Sequence, residues 1–317
     1  MKKPGGTGPL IIAAVLFALS SCSSLNRLVI NKVSDAVSGG GASEVFSGDP
    51  DPQLVGDALP FAIKMYETLL AQNPDHQGLI LTTGSLFIMY ANAFVQGPAE
   101  TLPPEEYTAK AGQLERARGL YLRGAALIEG GLEKKYPGLN AARGAELLPF
   151  LAGLTAEDVP ALYWLSAGAL SAYALNPFDL DLGMRVPQLK SLIDRAYELD
   201  PDFNSGALDD FYLLFYASIP EGMGGDKALA KIHYTRALEK SGGLSAGTYV
   251  SYAKIAVAGQ DYESFKSCLE AALAIDVNAN PANRLQNVLS QRRARHLLDH
   301  AGDYFIDLET DEQFDTD

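Results

Sequence analysis

Tyr90, Phe94, Arg123, Tyr163 and Trp164 combine aromatic rings with one guanidinium, on segments that read as central helices. Such a set can line a cavity, bury an apolar tail and fix a carboxylate through the forked geometry of arginine. The same residues also serve as ordinary core packing. A second set is basic. Arg292, Arg293 and Arg295 cluster near the end of an otherwise acidic chain. They either pair internally with acidic side chains of a neighbouring hairpin or dock an acidic partner or ligand carboxylate. His296 and His300 are spaced i, i+4 and share a helix face. That spacing can hold a metal, but no further ligand is evident beyond Asp299 and Asp303. Solvated or capping histidines are expected, and no metal is assigned.

Catalytic patterns are weaker. Asp209-Asp210 and Glu105-Glu106 are adjacent carboxylates, and neighbours on a helix point about 100° apart. Neither pair makes an acid/base dyad by itself. No nucleophile elbow or Ser/His/Asp arrangement stands out. Glu221-Gly222-Met223-Gly224-Gly225-Asp226 precedes a helix that opens with Lys227. A phosphate loop needs a preceding strand, whereas this one follows a helical pattern, so a turn between hairpins is expected. An enzyme acting on cell-wall glycan would need a buried glutamate over a groove. Glu129 or Glu221 would have to fill that role, and neither carries a surrounding motif. The reading is therefore non-enzymatic, with no catalytic residue and no cofactor.

These side chains must be positioned by helices. Leu59, Ile63, Tyr66 and Leu70 fall on one helical face, and Asn73-Pro74 stops that helix. Leu79 to Val95 is apolar nearly all round. Thr82, Thr83, Gly84, Ser85 and Asn92 make a membrane span expensive, so a buried central helix is expected. Further helices are predicted at about 106–134, 142–152, 159–175, 187–199, 206–218, 227–240, 246–258, 261–275 and 282–300. Pro187 suits a first helical turn and Asp226 an N-cap. Cys268 reads as a small buried hydrophobe. The fold class is all-α: stacked antiparallel hairpins in one curved domain over residues 57–300. Phrases such as Arg195-Ala196-Tyr197-Glu198-Leu199-Asp200-Pro201 and Tyr66 through Pro74 resemble the second helix of tetratricopeptide repeats. The copies are unevenly spaced, so the stack is a degenerate one. Curved stacks of this kind present concave surfaces to peptides or partner proteins.

The first residues concern location. Lys2 and Lys3 precede an apolar run from Leu10 to Leu19, followed by Ser20-Ser21-Cys22. A positive start, a short apolar core and a small-residue cleavage site make a secretory signal over residues 1–21. Small residues directly before a cysteine resemble the lipobox of bacterial lipoproteins, in which Cys22 is lipidated. Acyl chains would then anchor a body whose signal is too short to span a bilayer. Ser23 and Ser24 replace the Asp that tends to retain lipoproteins in the inner membrane. The expected location is the outer membrane, facing the periplasm. Residues 22–56, rich in Gly, Ser, Asp and Pro, read as tether and lead-in. Residues 301–317 read as a disordered acidic tail.

The 317-residue chain carries a formal charge of −14, and loss of the two leader lysines makes it −16. That excludes nucleic acid as a partner, which needs a basic footprint. With Cys22 lipidated, Cys268 is the one thiol left, so no internal disulfide can form.

Taken in order, several blocks resemble the T-component (TatT-type) family of tripartite ATP-independent periplasmic (TRAP) transporters. They begin with Asp51-Pro52-Gln53-Leu54-Val55-Gly56-Asp57-Ala58-Leu59-Pro60-Phe61 and Tyr90-Ala91-Asn92-Ala93-Phe94-Val95. Leu120-Tyr121-Leu122-Arg123-Gly124, Leu162-Tyr163-Trp164 and Ile219 through Asp226 follow. Leu285 through Arg295 is the last. Trp164 is the single tryptophan, where the family often has a further aromatic after the Tyr-Trp pair. The resemblance implies a lipid-anchored periplasmic accessory protein that associates with a solute-binding P-component. It also implies delivery of a small organic or hydrophobic ligand, a cavity through the helical body, and homo-oligomers. A general assembly scaffold at the outer membrane is the competing non-enzymatic reading.

Overall fold

The structure is a computed structural model describing residues 31–39, 45–219, 221 and 224–305. Cys22, the signal and the end of the expected acidic tail lie outside the described residues. All regular structure among the described residues is helical, in agreement with the all-α expectation.

The first long helix, α1, spans Pro52–Gln72. Asp51 caps it, its carboxylate accepting from the N–H groups of Gln53 (2.9 Å) and Leu54 (3.3 Å). The helix therefore begins within the expected tether, because Asp-Pro is a start signal as well as a turn signal. A helical stretch at residues 31–38 also lies within that tether. It is pinned to α1 and the following turn. Tyr66 Oη donates to Val37 O (2.7 Å), Asn73 Nδ2 donates to Asn31 Oδ1 (2.7 Å), and His76 Nε2 lies 2.9 Å from Asp35 Oδ1.

Helix α2 runs from Gln77 to Glu100, with a π-helical turn over Ala91–Gln96. It is long and apolar enough to cross a membrane, yet 56% of its most apolar 18-residue stretch is buried inside the protein. It packs between α1, α3 (Tyr107–Lys135) and α5 (Val159–Leu175). Helix α4 (Leu148–Gly153) is short and follows a 3-10 turn at Gly144–Leu147, replacing the single helix expected at 142–152. Helix α6 spans Leu180–Leu199, capped by Asp179. Pro187 thus lies inside α6 and not in its first turn, which corrects the expectation from sequence. Next come α7 (Ala207–Ser218), α8 (Lys227–Ser241), α9 (Ala246–Ala258), α10 (Tyr262–Ala274) and α11 (Arg284–Asp299). Asp226 caps α8 as expected, accepting from Ala228 N at 2.8 Å.

Sequential helices pack as hairpins: α1 with α2, α5 with α6, α7 with α8, and α9 with α10. One helix of each pair also touches the next pair, so α2, α5, α7, α9 and α11 form a row. The row closes on itself. Leu285 and Leu289 of α11 join the apolar cluster of Val55, Leu59 and Phe94 on α1 and α2. Lys254 of α9 donates to Glu100 of α2 (2.7 Å), and Arg293 of α11 donates to Asn92 O (2.8 Å). Residues 301–305, expected in the tail, belong to the fold. Phe305 is buried against Phe265 of α10, ring centroids 4.9 Å apart. Cys268 is buried, as expected.

Candidate functional site

The five aromatic-and-arginine residues divide. Tyr90 and Phe94 stack in the C-terminal half of α2, ring centroids 5.9 Å apart, with Phe94 seated against Gly56 of α1. Tyr163 and Trp164 meet edge to face on α5 at 5.3 Å, and Phe203 lies 5.4 Å from Tyr163. All four rings are partly buried. Arg123 stands apart from them. It pairs with Glu67, crosses the face of Phe87 at 4.6 Å, and its side chain is 48% exposed. The guanidinium is thus engaged between α1 and α3 instead of joining the rings of α5.

The basic cluster divides as well. Arg293 reaches the widened turn of α2 and donates to the carbonyl of Asn92, beside Gly97. A side chain at Gly97 would collide with that guanidinium. Arg292 and Arg295 are exposed on α11. The imidazoles of His296 and His300 lie 4.2 Å apart, and His300 Nδ1 is 2.9 Å from the carbonyl of His296. Burial and the neighbouring His300 lower the pKa of His296.

A feature that sequence reasoning did not resolve is the fate of Asp209 and Asp210. The roughly 100° step along a helix sends them in different directions. Asp209 is fully buried against α8, with His233 Nδ1 at 2.6 Å, Lys240 Nζ at 2.8 Å and the Tyr197 hydroxyl donating at 3.1 Å. Burial alone would raise its pKa, but hydrogen bonds to His233 and Lys240 outweigh that and hold it low. Asp210 turns toward α9 and accepts from the Thr248 hydroxyl at 2.7 Å. Burial pushes its pKa up to about 6, opposed by that hydrogen bond and reinforced by the charge of Asp209. Tyr163 lies near enough to respond: burial and then the charge of Asp210 raise its phenol to about 12. The sequence signal was present in the adjacent acids, but their partners lie on other hairpins.

Two further carboxylates are tied. Glu129 pairs with Arg185, and Asp158 is held by Lys135 at 2.6 Å and by the Tyr136 hydroxyl at 2.8 Å. Glu221 is exposed on the turn between α7 and α8. The seam between α2 and α9 runs through a relay. Tyr121 donates to Gln96 (2.6 Å), Gln96 donates to Glu100 (2.7 Å), and Lys254 donates to the other oxygen of Glu100. Burial would raise Glu100, but Lys254 outweighs it and keeps the carboxylate low.

These features define an all-α protein of stacked hairpins whose two ends meet. The sequence profile of a family described as "TRAP transporter T-component" matches residues 48–305. The chain belongs to that family, which places it among accessory components of TRAP transport systems. An uncharacterized protein of Treponema pallidum (strain Nichols) is 36% identical over 313 residues, covering 92% of this chain and 97% of the relative.

Proposed function

We propose that this protein is a lipid-anchored, periplasm-facing accessory subunit that docks the solute-binding P-component of a TRAP system and holds a small organic ligand within its helical ring. The family match over residues 48–305 carries this reading. The closed row of α2, α5, α7, α9 and α11 supports the ligand part, since Tyr90, Tyr163 and Trp164 are partly buried on α2 and α5 of that row. The exposed Arg292 and Arg295 are the docking candidates, suited to an acidic partner surface. Leu54, Phe61 and Met65 add an exposed apolar stripe on the neighbouring α1. Cys22 supplies the anchor and the outer membrane the location. The degenerate hairpins are tetratricopeptide-like in this reading.

The test is affinity capture of the tagged full-length chain from envelope extracts of its own organism, with mass spectrometry of the bound proteins. Enrichment of a TRAP-type solute-binding protein is expected. Recovery of outer-membrane assembly or cell-wall proteins alone would favour a general scaffold and overturn the transport reading.

A further inference from the structure

The half-buried and buried carboxylates of this fold are mostly neutralised where they sit. Asp158 lies against Lys135, Asp209 against Lys240, and Glu100 against Lys254. Asp210 differs. No lysine, arginine or histidine among the described residues comes within ion-pair distance of it. One carboxylate oxygen accepts from Thr248 of α9, and among the described residues the other has no hydrogen-bond partner. A half-buried carboxylate that is oriented by one hydroxyl and left without a cation is costly to maintain for stability alone.

Its surroundings suit one kind of guest. From α5, which packs against α7, comes Tyr163, whose ring is backed by Trp164 and Phe203. Four residues along α7, on the same helix face, Leu214 keeps 44% of its surface exposed. From α9 comes Thr248, which is uncharged, and the nearby Lys240 and His233 of α8 are both committed to Asp209. A protonated amine would find an acceptor oxygen, an aromatic face and an apolar neighbour for its hydrocarbon part. A ligand carboxylate would meet like charge with no guanidinium to answer it.

We propose that Asp210, with Thr248, Tyr163 and Leu214, forms an acceptor site for the ammonium group of an amphipathic organic amine. The inference rests on the ligand-holding reading above and names the chemical class of the ligand. The raised pKa of Asp210 agrees with a carboxylate that gains from a bound cation.

The single tryptophan, Trp164, packs on Tyr163 and serves as the reporter. The full chain, purified from membranes into amphipol, is titrated with 2-phenylethylamine and separately with 3-phenylpropanoate at about pH 7.5. Saturable change in Trp164 emission is expected with the amine and not with the acid. Affinity for the amine is expected to fall at least about tenfold in Asp210→Asn, and at about pH 5, where the carboxyl is protonated. Thr248→Ala, which frees the carboxylate to rotate, is expected to weaken binding less. Equal amine affinity in Asp210→Asn, or equal binding of both probes, would overturn the site. Binding of the acid alone would overturn it while leaving the ligand-holding reading intact. Binding of neither probe would also overturn it. The broader reading is then judged separately, by mass spectrometry of small molecules that copurify with the chain.

Discussion

Asp209 and Asp210 share a helix turn and carry opposite burdens. Asp209 is a structural anion: its removal leaves the buried His233 unpaired and takes from Lys240 its one buried carboxylate partner. Asp209→Ala is therefore expected to cost about 3 kcal/mol, measured by urea unfolding. Its native pKa is depressed, so its stabilisation is present above the ordinary carboxylate value of about 4 and is lost as pH falls through the native value. Asp210 works the other way. Its native pKa is raised to about 6, so the fold binds a proton that the unfolded chain releases, and stability declines as pH rises from about 4 through 6. Asp210→Asn is expected to raise Tm above pH 6 and to leave it unchanged near pH 4, measured by calorimetry across that range. No gain at pH 7 to 8 would contradict the assignment. The sequence reading separated the two side chains by helical geometry. It could not name their partners, because His233 and Thr248 lie 24 and 38 residues away.

At the scale of elements, helix starts were legible where an Asp precedes the run, as at Asp226 before α8. Interior prolines were not. Pro60 and Pro187 both sit inside helices, and each has a glycine four residues earlier, Gly56 and Gly183. A proline ring crowds the carbonyl at that position, and glycine gives the backbone room to lean away. Reading proline as a start signal therefore shortened α6. The crossing of α2 and α3 is set by two further glycines. A Cβ at Gly124 would lie 2.5 Å from the carbonyl of Gly84, and one at Gly84 would lie 2.8 Å from the carbonyl of Gly124. Backbone cannot step aside as a side chain can. Gly84→Ala or Gly124→Ala is expected to destabilise by about 2 kcal/mol through forced separation of the helices. Gly112 and Gly119, exposed on the same α3 with nothing nearby, should behave oppositely. Alanine at either is expected to stabilise by about 0.5–1 kcal/mol. Equal effects at all four positions, read from denaturant midpoints, would contradict the packing account.

For the molecule as a whole, closure is the property that local patterns could not announce. The helical class and the hairpins follow from periodicity within about 30 residues, whereas the closing contacts join residues 154 and 201 positions apart. Arg293 was visible as part of a basic cluster. Its partner is a backbone carbonyl on the π-helical turn of α2, which charge patterning does not reveal. Arg293→Ala combined with Lys254→Ala is expected to leave the hairpins folded while loosening the seam. Hydrogen exchange should then accelerate at residues 91–100 and 284–299 and stay unchanged in α5 and α6. Acceleration spread evenly over the chain would mean that the seam is not a separate feature. Leu285 and Leu289 remain as apolar contacts across it, so the seam weakens instead of parting.

The central claim concerns a partner, and it is tested most directly by mixing two purified proteins. The full-length chain in amphipol is titrated calorimetrically with the solute-binding subunit of a TRAP system from the same organism. A saturable complex of defined stoichiometry is expected, weakened when Arg292 and Arg295 are both changed to Glu. Absence of binding to every TRAP solute-binding subunit of that organism would contradict the account.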